Sequence, residues 1–134
     1  MAYGMSQTNL IHPWLSTMRG GGNGTNFTAP TALWSQLHVG DPGASGTANI
    51  SSTTTRQPMA FGVPSANSMS LSTAPSWTNW AGTNGEVVVG HSVHSASAAG
   101  TFYFSAQFTA SKTVNTGDTV SIATHTFSQA PAAA

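Results

Sequence analysis

The carboxylates are the first residues to consider for catalysis, and the chain has only three: Asp41, Glu86 and Asp118. A glycosidase needs two carboxyl groups roughly 5 to 9.5 Å apart, with the acid in an environment that raises its pKa. Asp41 and Asp118 lie instead in turn sequences, where an aspartate side chain accepts hydrogen bonds from nearby backbone amides. Glu86 follows an Asn-Gly pair and suits the polar start of a strand. The sequence therefore predicts structural roles for all three.

The five histidines could ligate a metal or act as bases. His91 and His94 are three residues apart, so in a strand their side chains would point to opposite faces. The chain has no cysteine, and no carboxylate lies near this pair in the sequence to complete a zinc site. A threefold axis that gathers one histidine from each subunit is the alternative. We predict interface or loop positions for the histidines, with no metal and no cofactor.

Motifs for nucleophilic catalysis and for phosphate binding are missing. No serine lies in a Gly-x-Ser-x-Gly sequence. The glycine cluster at residues 20–24 has neither the Gly-Lys-Ser/Thr ending of a phosphate loop nor a strand before it. We expect no catalytic residue and a protein that is not an enzyme.

Charge is scarce along the whole chain. Three Lys and Arg and three Asp and Glu make 4% of 134 residues, where about 25% is usual. Phosphate binding draws on clustered Lys and Arg, so nucleic acid is not an expected partner. A free monomer keeps a charged surface for solubility, so a near-neutral surface predicts an assembly that covers much of it. A secreted or halotolerant domain rich in Ser, Thr and Asn is the alternative.

Neither a membrane span nor a secretory signal is predicted. The longest aliphatic run covers residues 87–89, whereas a span requires about 20 apolar residues. The first 30 residues lack a basic region followed by an apolar stretch. We expect no membrane partner.

One segment near the N terminus predicts a helix. Leu10, Trp14 and Met18 recur at the i, i+4, i+8 spacing of a helix face. Pro13 is tolerated only in a first turn, so we expect either a helix that starts near His12 or a kinked pair of short turns. The glycines at residues 20–24 end the helix and predict a hinge.

After the hinge, apolar residues recur with the period of two that is typical of strands. The clearest case places Phe102, Phe104 and Phe108 on one face and Tyr103 on the other. Residues 115–118 predict a hairpin turn, because Asn and Gly accept its left-handed positions. Many short strands and hardly any helix predict an all-β fold. We expect a single antiparallel β-sandwich domain, jelly-roll or immunoglobulin-like, with a short N-terminal helix or arm.

Three segments follow from this pattern. Residues 1–30 form an N-terminal arm with the short helix and the glycine-rich hinge, residues 31–128 form the β-sandwich domain, and residues 129–134 form a C-terminal tail. Arm and tail have little apolar surface to offset roughly 1 to 2 kcal/mol of backbone entropy per residue. We expect both to be mobile in isolation and to be ordered by a neighbour.

Three blocks of sequence resemble a family of small virion proteins from tailed phages of actinobacteria. They are FTAP followed by LWSQLHVGDPG within residues 27–43, RQPMAFG at 56–62 and TASKTVNTGDTV at 109–120. The resemblance implies a β-sandwich with an N-terminal helix and no catalytic activity. The chain departs from the family in the SSTTT run at 51–55, where members carry more acidic residues, and in Pro13, which interrupts the helix.

The resemblance and the composition together predict a structural virion protein, made in the cytoplasm of the bacterial host. We favour a capsid decoration, or cement, subunit on the major capsid lattice. A minor tail or tail-tip subunit is the alternative within this class, and a carbohydrate-binding module for host attachment is the alternative outside it. An enzyme is supported only by analogy with hydrolases on similar folds. Expected partners are the major capsid protein or tail proteins and further copies of the chain, with a trimer among the possible homo-oligomers.

Five apolar residues are candidates for the interface. Leu10, Trp14 and Leu15 form an apolar anchor on the predicted helix. Trp77 and Trp80 flank a polar Thr-Asn pair and form a second candidate anchor, since tryptophan is enriched at interfaces. Core positions or carbohydrate stacking are the alternatives for this second pair.

Overall fold

The computed structural model describes residues 3–19 and 26–128. A single π-helical turn, Gln7–Ile11, leads directly into α1, His12–Met18. The strands are β1 Leu33–His38, β2 Gln57–Phe61, β3 Ser68–Thr73, β4 Ser76–Trp77, β5 Glu86–His94, β6 Phe102–Val114, β7 Val120–Ser121 and β8 Thr126–Ser128. The predicted tail at 129–134 and most of the predicted hinge lie outside the described residues.

α1 begins at His12, which is one of the two arrangements that the sequence predicts. The Ser6 side chain caps the first turn by accepting a hydrogen bond from the Asn9 amide at 3.2 Å. Pro13 stands in the first turn of α1, where its missing N–H removes no helical hydrogen bond. The Thr17 hydroxyl donates to the Pro13 carbonyl at 2.9 Å. In the described part of the chain, neither helical segment is long and apolar enough to cross a membrane.

The strands form one curled antiparallel sheet of six strands and a small sheet of two, so the predicted all-β class is confirmed. The order in the large sheet is β6-β5-β1-β2-β3-β8, and β4 pairs with β7 in the small one. The pairing of β5 with β6 is interrupted: Val88 faces Lys112 and Gly90 faces Gln107, so one residue of β5 opposes four of β6. This bulge bends β6 where the sheet curls.

The core divides into two clusters that meet at Leu71. The buried members of the first come from β1, β4 to β7 and the turns beside them: Leu37, Trp77, Trp80, Val88, Val114, Val120 and Ile122. The buried members of the second come from β2, β5 and β6: Met59, Val93, Tyr103 and Phe104. The curled sheet therefore supplies both layers of the fold, and the small sheet covers one end.

The predicted alternation along β6 is only partly correct. Phe104 lies in the second cluster and Phe108 packs against the first, as expected. Phe102 is buried outside both clusters, against the His94 ring and beneath Gly46. Tyr103 is buried as well, because the N-terminal arm covers it.

The N-terminal arm, defined here as residues 3–19 with 26 and 27, docks on its own domain. Met5 pairs with Phe104 at the edge of β6, and the Ser6 amide donates to the Tyr103 carbonyl at 2.6 Å. The Phe27 ring meets the Tyr103 ring edge to face, with centroids 6.2 Å apart. The sequence predicts an arm that is mobile in isolation and ordered by a neighbour; in this structure the described arm residues pair with β6 of their own chain.

Candidate functional site

An apolar groove of about 630 Å³ lies between the arm and the second core cluster, and we call it the arm groove. Its walls are almost entirely apolar and include no charged side chain. The lining residues are Met5, Leu10, Trp14, Phe27, Pro30, Leu33, Phe61, Pro64, Ala66, Asn67, Ser68, Met69, Tyr103, Phe104 and Phe127. Such a groove favours an apolar side chain or segment of a partner over a charged ligand.

The helix beside this groove presents large apolar side chains to solvent. Trp14 is 38% exposed, Leu15 55% and Met18 73%. Leu10 is half-buried and lines the groove with Trp14. The three predicted anchor residues, Leu10, Trp14 and Leu15, therefore lie together at one accessible surface. Contiguous exposed apolar surface of this kind marks interaction sites on soluble proteins.

The second predicted anchor, Trp77 and Trp80, does not lie at the protein surface. Trp77 is only 2% exposed and Trp80 only 1%, and both belong to the first core cluster. The Trp77 indole N–H donates to the Thr55 carbonyl at 2.7 Å and the Trp80 indole N–H to the Thr83 carbonyl at 3.2 Å. The prediction that Trp77 and Trp80 form an interface anchor is therefore wrong, because both side chains are buried in the core. The polar residues between them turn outward, with Asn79 at φ 53°, and leave both indoles facing inward.

All three carboxylates accept hydrogen bonds from the backbone, as predicted for Asp41 and Asp118. Asp41 accepts from the Gly43 amide at 2.8 Å, and this bond lowers the pKa of Asp41. Asp118 accepts from the Asn115 amide at 2.9 Å. Glu86 accepts from the Ser52 amide at 3.0 Å and from the Ser52 hydroxyl at 2.7 Å. Each carboxylate fixes a turn or a loop.

Four of the five histidines form two buried networks that the sequence did not predict. In the first, the Ser92 hydroxyl lies 2.7 Å from His38 Nε2 and 2.8 Å from His94 Nε2. The Ala48 carbonyl accepts from His38 Nδ1 at 2.8 Å, so His38 Nε2 accepts from Ser92, and His94 Nε2 donates to Ser92. This network lies beneath the loop at residues 41–50.

The second network lies on the other face of the sheet. His91 Nδ1 is 2.9 Å from the Ser35 hydroxyl, and His91 Nε2 is 3.0 Å from His125 Nδ1. The His91 ring also stacks on Phe108, with centroids 5.9 Å apart. His91 and His94 thus point to opposite faces, as their spacing predicts. Within the described residues, no group of three metal-ligating side chains is formed.

Burial keeps these histidines neutral. It lowers the pKa of His91 to about 3, with a smaller contribution from the neighbouring His125. It lowers the pKa of His94 to about 4, with a contribution from the Arg56 charge. The pKa values of His38 and His125 are also lowered, mainly by burial. Three buried imidazoles and the half-buried His125 make the fold dependent on their staying uncharged.

A second groove of about 650 Å³ runs between β6 and residues 119–126, and we call it the β6 groove. His125, Phe108 and Lys112 line it together with the hydroxyl groups of several threonines and one serine. Polar and apolar walls alternate here, unlike in the arm groove. The groove suits a small polar ligand or a polar segment.

Comparison with known families adds one finding. Residues 17–129 match the model of the family described as Podophage GP4 fiber I protein gp80. The chain belongs to this fibre-protein family. The matched region runs from the last residues of α1 past β8, so it includes the whole sheet, and residues 3–16 of the arm precede it. No curated protein shows a significant match to the chain.

As a member of the gp80 fibre-protein family, the chain is a structural protein of a phage virion. The resemblance to tailed-phage virion proteins that the sequence blocks carried is confirmed. The family match supports a location in the virion and association with other virion components.

Proposed function

We propose that the chain is a structural subunit of the phage tail or its fibres, and that it attaches to a neighbouring virion protein through the arm groove and α1. The observation that carries this proposal is the uncharged surface formed by Leu10, Trp14 and Leu15, which is accessible and beside an apolar groove. The family description, a fibre protein, favours the tail over the capsid.

Roughly 400 Å² of apolar surface is exposed on four side chains of the arm: Met5, Trp14, Leu15 and Met18. This is about half of the ~800 Å² that each partner contributes to a standard interface. The groove walls supply further contact area. Burial of apolar surface favours association by about 25 cal/mol per Å² before the costs of association are counted. An uncharged surface adds little charge desolvation to those costs.

The proposal assigns no catalysis to the chain. Support comes from the carboxylates, since Asp41, Glu86 and Asp118 accept hydrogen bonds from the backbone at three separate turns and loops. Paired acid and base carboxyl groups are what a glycosidase requires.

Capsid decoration, the role that the sequence favoured, is the alternative that the same experiment tests. Quantitative mass spectrometry of purified virions should find about 3 to 12 copies for a tail component and hundreds for a decoration protein, as the symmetry of each structure requires. Labelling with an antibody in electron micrographs should mark the tail. Copies in the hundreds spread over the capsid would overturn the tail assignment.

The attachment surface is tested with substitutions in α1. Leu15→Asp changes a side chain that is 55% exposed, so folding should persist while incorporation into virions falls by about tenfold or more, because a buried unpaired carboxylate opposes docking. Val87→Asp is the matched control, since Val87 is 43% exposed on β5 away from the arm groove. Equal incorporation of both variants would place the attachment surface elsewhere.

Carbohydrate binding is the second candidate, favoured only by the mixed walls of the β6 groove. Its earlier support from tryptophan is weaker, because Trp77 and Trp80 are buried. Binding of wild type to bacterial wall glycans, lost on Lys112→Ala, would establish it. If the wild-type protein binds no glycan, carbohydrate binding is excluded and only the structural role remains.

A further inference from the structure

We propose that the N-terminal arm is exchanged between copies of this chain, so that residues 3–6 of one copy complete the sheet of the next. The proposal goes beyond the attachment described above, because it names a second copy of the chain as a partner and β6 as the surface. It also differs in kind: the contacts are backbone hydrogen bonds at a sheet edge, not apolar contacts at α1.

The arm adds a short strand to the edge of β6. The Ser105 amide donates to the Gly4 carbonyl at 2.8 Å, and the Ser6 amide donates to the Tyr103 carbonyl at 2.6 Å. Met5 stands between these bonds, opposite Phe104. Strand addition of this type uses main-chain groups, which are the same in every copy. The edge therefore accepts the arm of a neighbour as well as its own.

The docking site is shaped for this particular arm. A Cβ atom on Gly90 would lie 2.5 Å from the ring of Tyr3 and 2.7 Å from the Ala106 carbonyl oxygen, so the glycine leaves room both for the tyrosine and for the paired strand. The Tyr3 hydroxyl donates to the Gly40 carbonyl at 3.0 Å. The Asn9 side-chain amide donates to the Phe102 carbonyl at 3.0 Å. A second copy of the chain brings the same groups and meets the same fit.

The connection between arm and domain is suited to opening. Residues 28–32 join Phe27 to β1, are exposed apart from half-buried Pro30, and make no hydrogen bond to any described residue. Fully extended, five residues span about 17 Å. Opening this linker therefore breaks no hydrogen bond, and the exchanged form restores each arm contact in a neighbour. Exchange of an identical element is a low-cost route to an oligomer.

Charge does not oppose the approach of a second copy. The arm carries one fully charged side chain, Arg19, at the end of α1. The chain as a whole has no net charge. In a virion, where copies are held close together, the effective concentration of neighbouring arms is high.

Cysteine cross-linking tests the exchange, because the chain contains no cysteine of its own. One variant carries Gly4→Cys, where an added Cβ meets no atom within 4 Å, and the other carries Ser105→Cys, whose hydroxyl lies 3.2 Å from the Gly4 amide. The two variants are mixed while unfolded, refolded together and treated with a short bismaleimide, which joins cysteines that are too far apart for a disulfide. With random exchange, about a quarter of the arm contacts join the two substituted positions, and non-reducing gels show a covalent dimer of the two variants.

A matched pair within the domain provides the control. The Ser76 and Ser121 hydroxyls lie 2.8 Å apart across β4 and β7. Ser76→Cys mixed with Ser121→Cys should give no dimer above background, whereas the double variant should cross-link within one chain. Exchange is overturned if the Gly4 and Ser105 mixture gives no more dimer than this control. It is also overturned if the bismaleimide gives no cross-link within one chain of the Gly4→Cys, Ser105→Cys double variant, since the arm is then not at β6.

This test is separate from the attachment experiment. Cross-linking of refolded protein reports exchange wherever the protein lies in the virion, and the copy number reports location whether or not arms exchange. Failure of either leaves the other standing.

Discussion

Acid should destabilise this protein, because its buried histidines must stay neutral. In the unfolded chain a histidine has a pKa near 6.5, whereas burial lowers the pKa of His91 to about 3 and that of His94 to about 4. Below pH 6.5 the unfolded state binds protons that the folded state does not. The stability present above pH 6.5 is therefore lost as the pH falls toward 4 and 3.

The size of the loss follows from the two pKa values. One pH unit corresponds to about 1.4 kcal/mol for each histidine that only the unfolded chain protonates. At pH 5 this is about 2 kcal/mol each for His91 and His94, or about 4 kcal/mol together, a large part of the 5 to 15 kcal/mol typical of a domain. His38 and His125 act in the same direction.

Urea unfolding followed by tryptophan fluorescence at pH 7.5, 6 and 5 measures this directly. Below pH 6 the free energy of unfolding should fall with pH by an amount that corresponds to the uptake of at least two protons on unfolding. His94→Gln should lower stability at pH 7.5 and reduce the slope by about one proton, since one titrating group is removed. His12→Gln, which removes an exposed imidazole of α1, is the matched control for the substitution itself. A free energy of unfolding that stays constant from pH 7.5 to 5 would refute the reasoning.

Three further predictions concern packing and hydrogen bonding, and each is checked by urea unfolding at neutral pH. Trp80→Ala should cost about 3 to 5 kcal/mol because it empties the first core cluster, whereas Trp14→Ala should cost less than about 1 kcal/mol; equal losses would contradict the burial of Trp80. Gly90→Ala should cost about 1 to 3 kcal/mol through its clash with Tyr3, and a Tyr3→Ala background should recover part of it. Glu86→Gln should lower the free energy of unfolding by about 1 to 2 kcal/mol, because its charge-assisted hydrogen bonds to Ser52 weaken. An unchanged urea midpoint would show that these hydrogen bonds contribute nothing to stability.

Local chemistry made much of the fold predictable. Proline fixes its own φ and lacks an N–H, so Pro13 was expected in a first turn, and it is the second residue of α1. The turn roles of Asp41 and Asp118 followed from the same local reasoning. The β class followed from the period of two, which depends on neighbouring residues alone.

Long-range pairing was beyond the sequence. Residues 115–118 do form a turn, but the strand that follows pairs with β4 rather than returning along β6. Tyr103 was expected to face solvent, and its burial depends on the arm, about 100 residues away in sequence. The histidine networks were missed for the same reason, since Ser92 joins His38 and His94 only once β1 lies beside β5.

Of the two predicted interface anchors, the sequence could indicate the one on α1 but not the exposure of the other. A helical stripe of apolar residues indicated Leu10, Trp14 and Leu15, and a stripe is a local property. Trp77 and Trp80 carry no such stripe, so sequence could not separate an exposed indole from a buried one. The difference lies in the first core cluster, where Leu37 and Val88 arrive from distant strands to cover them.

The pairing of the arm with β6 also sets an order of events during synthesis. Residues 3–6 are translated about 100 residues before residues 103–105, the part of β6 with which they pair. At 5 to 20 residues per second, an arm waits about 5 to 20 seconds for its own β6. Until then, the main-chain groups of Gly4 and Ser6 have no partner strand on their own chain.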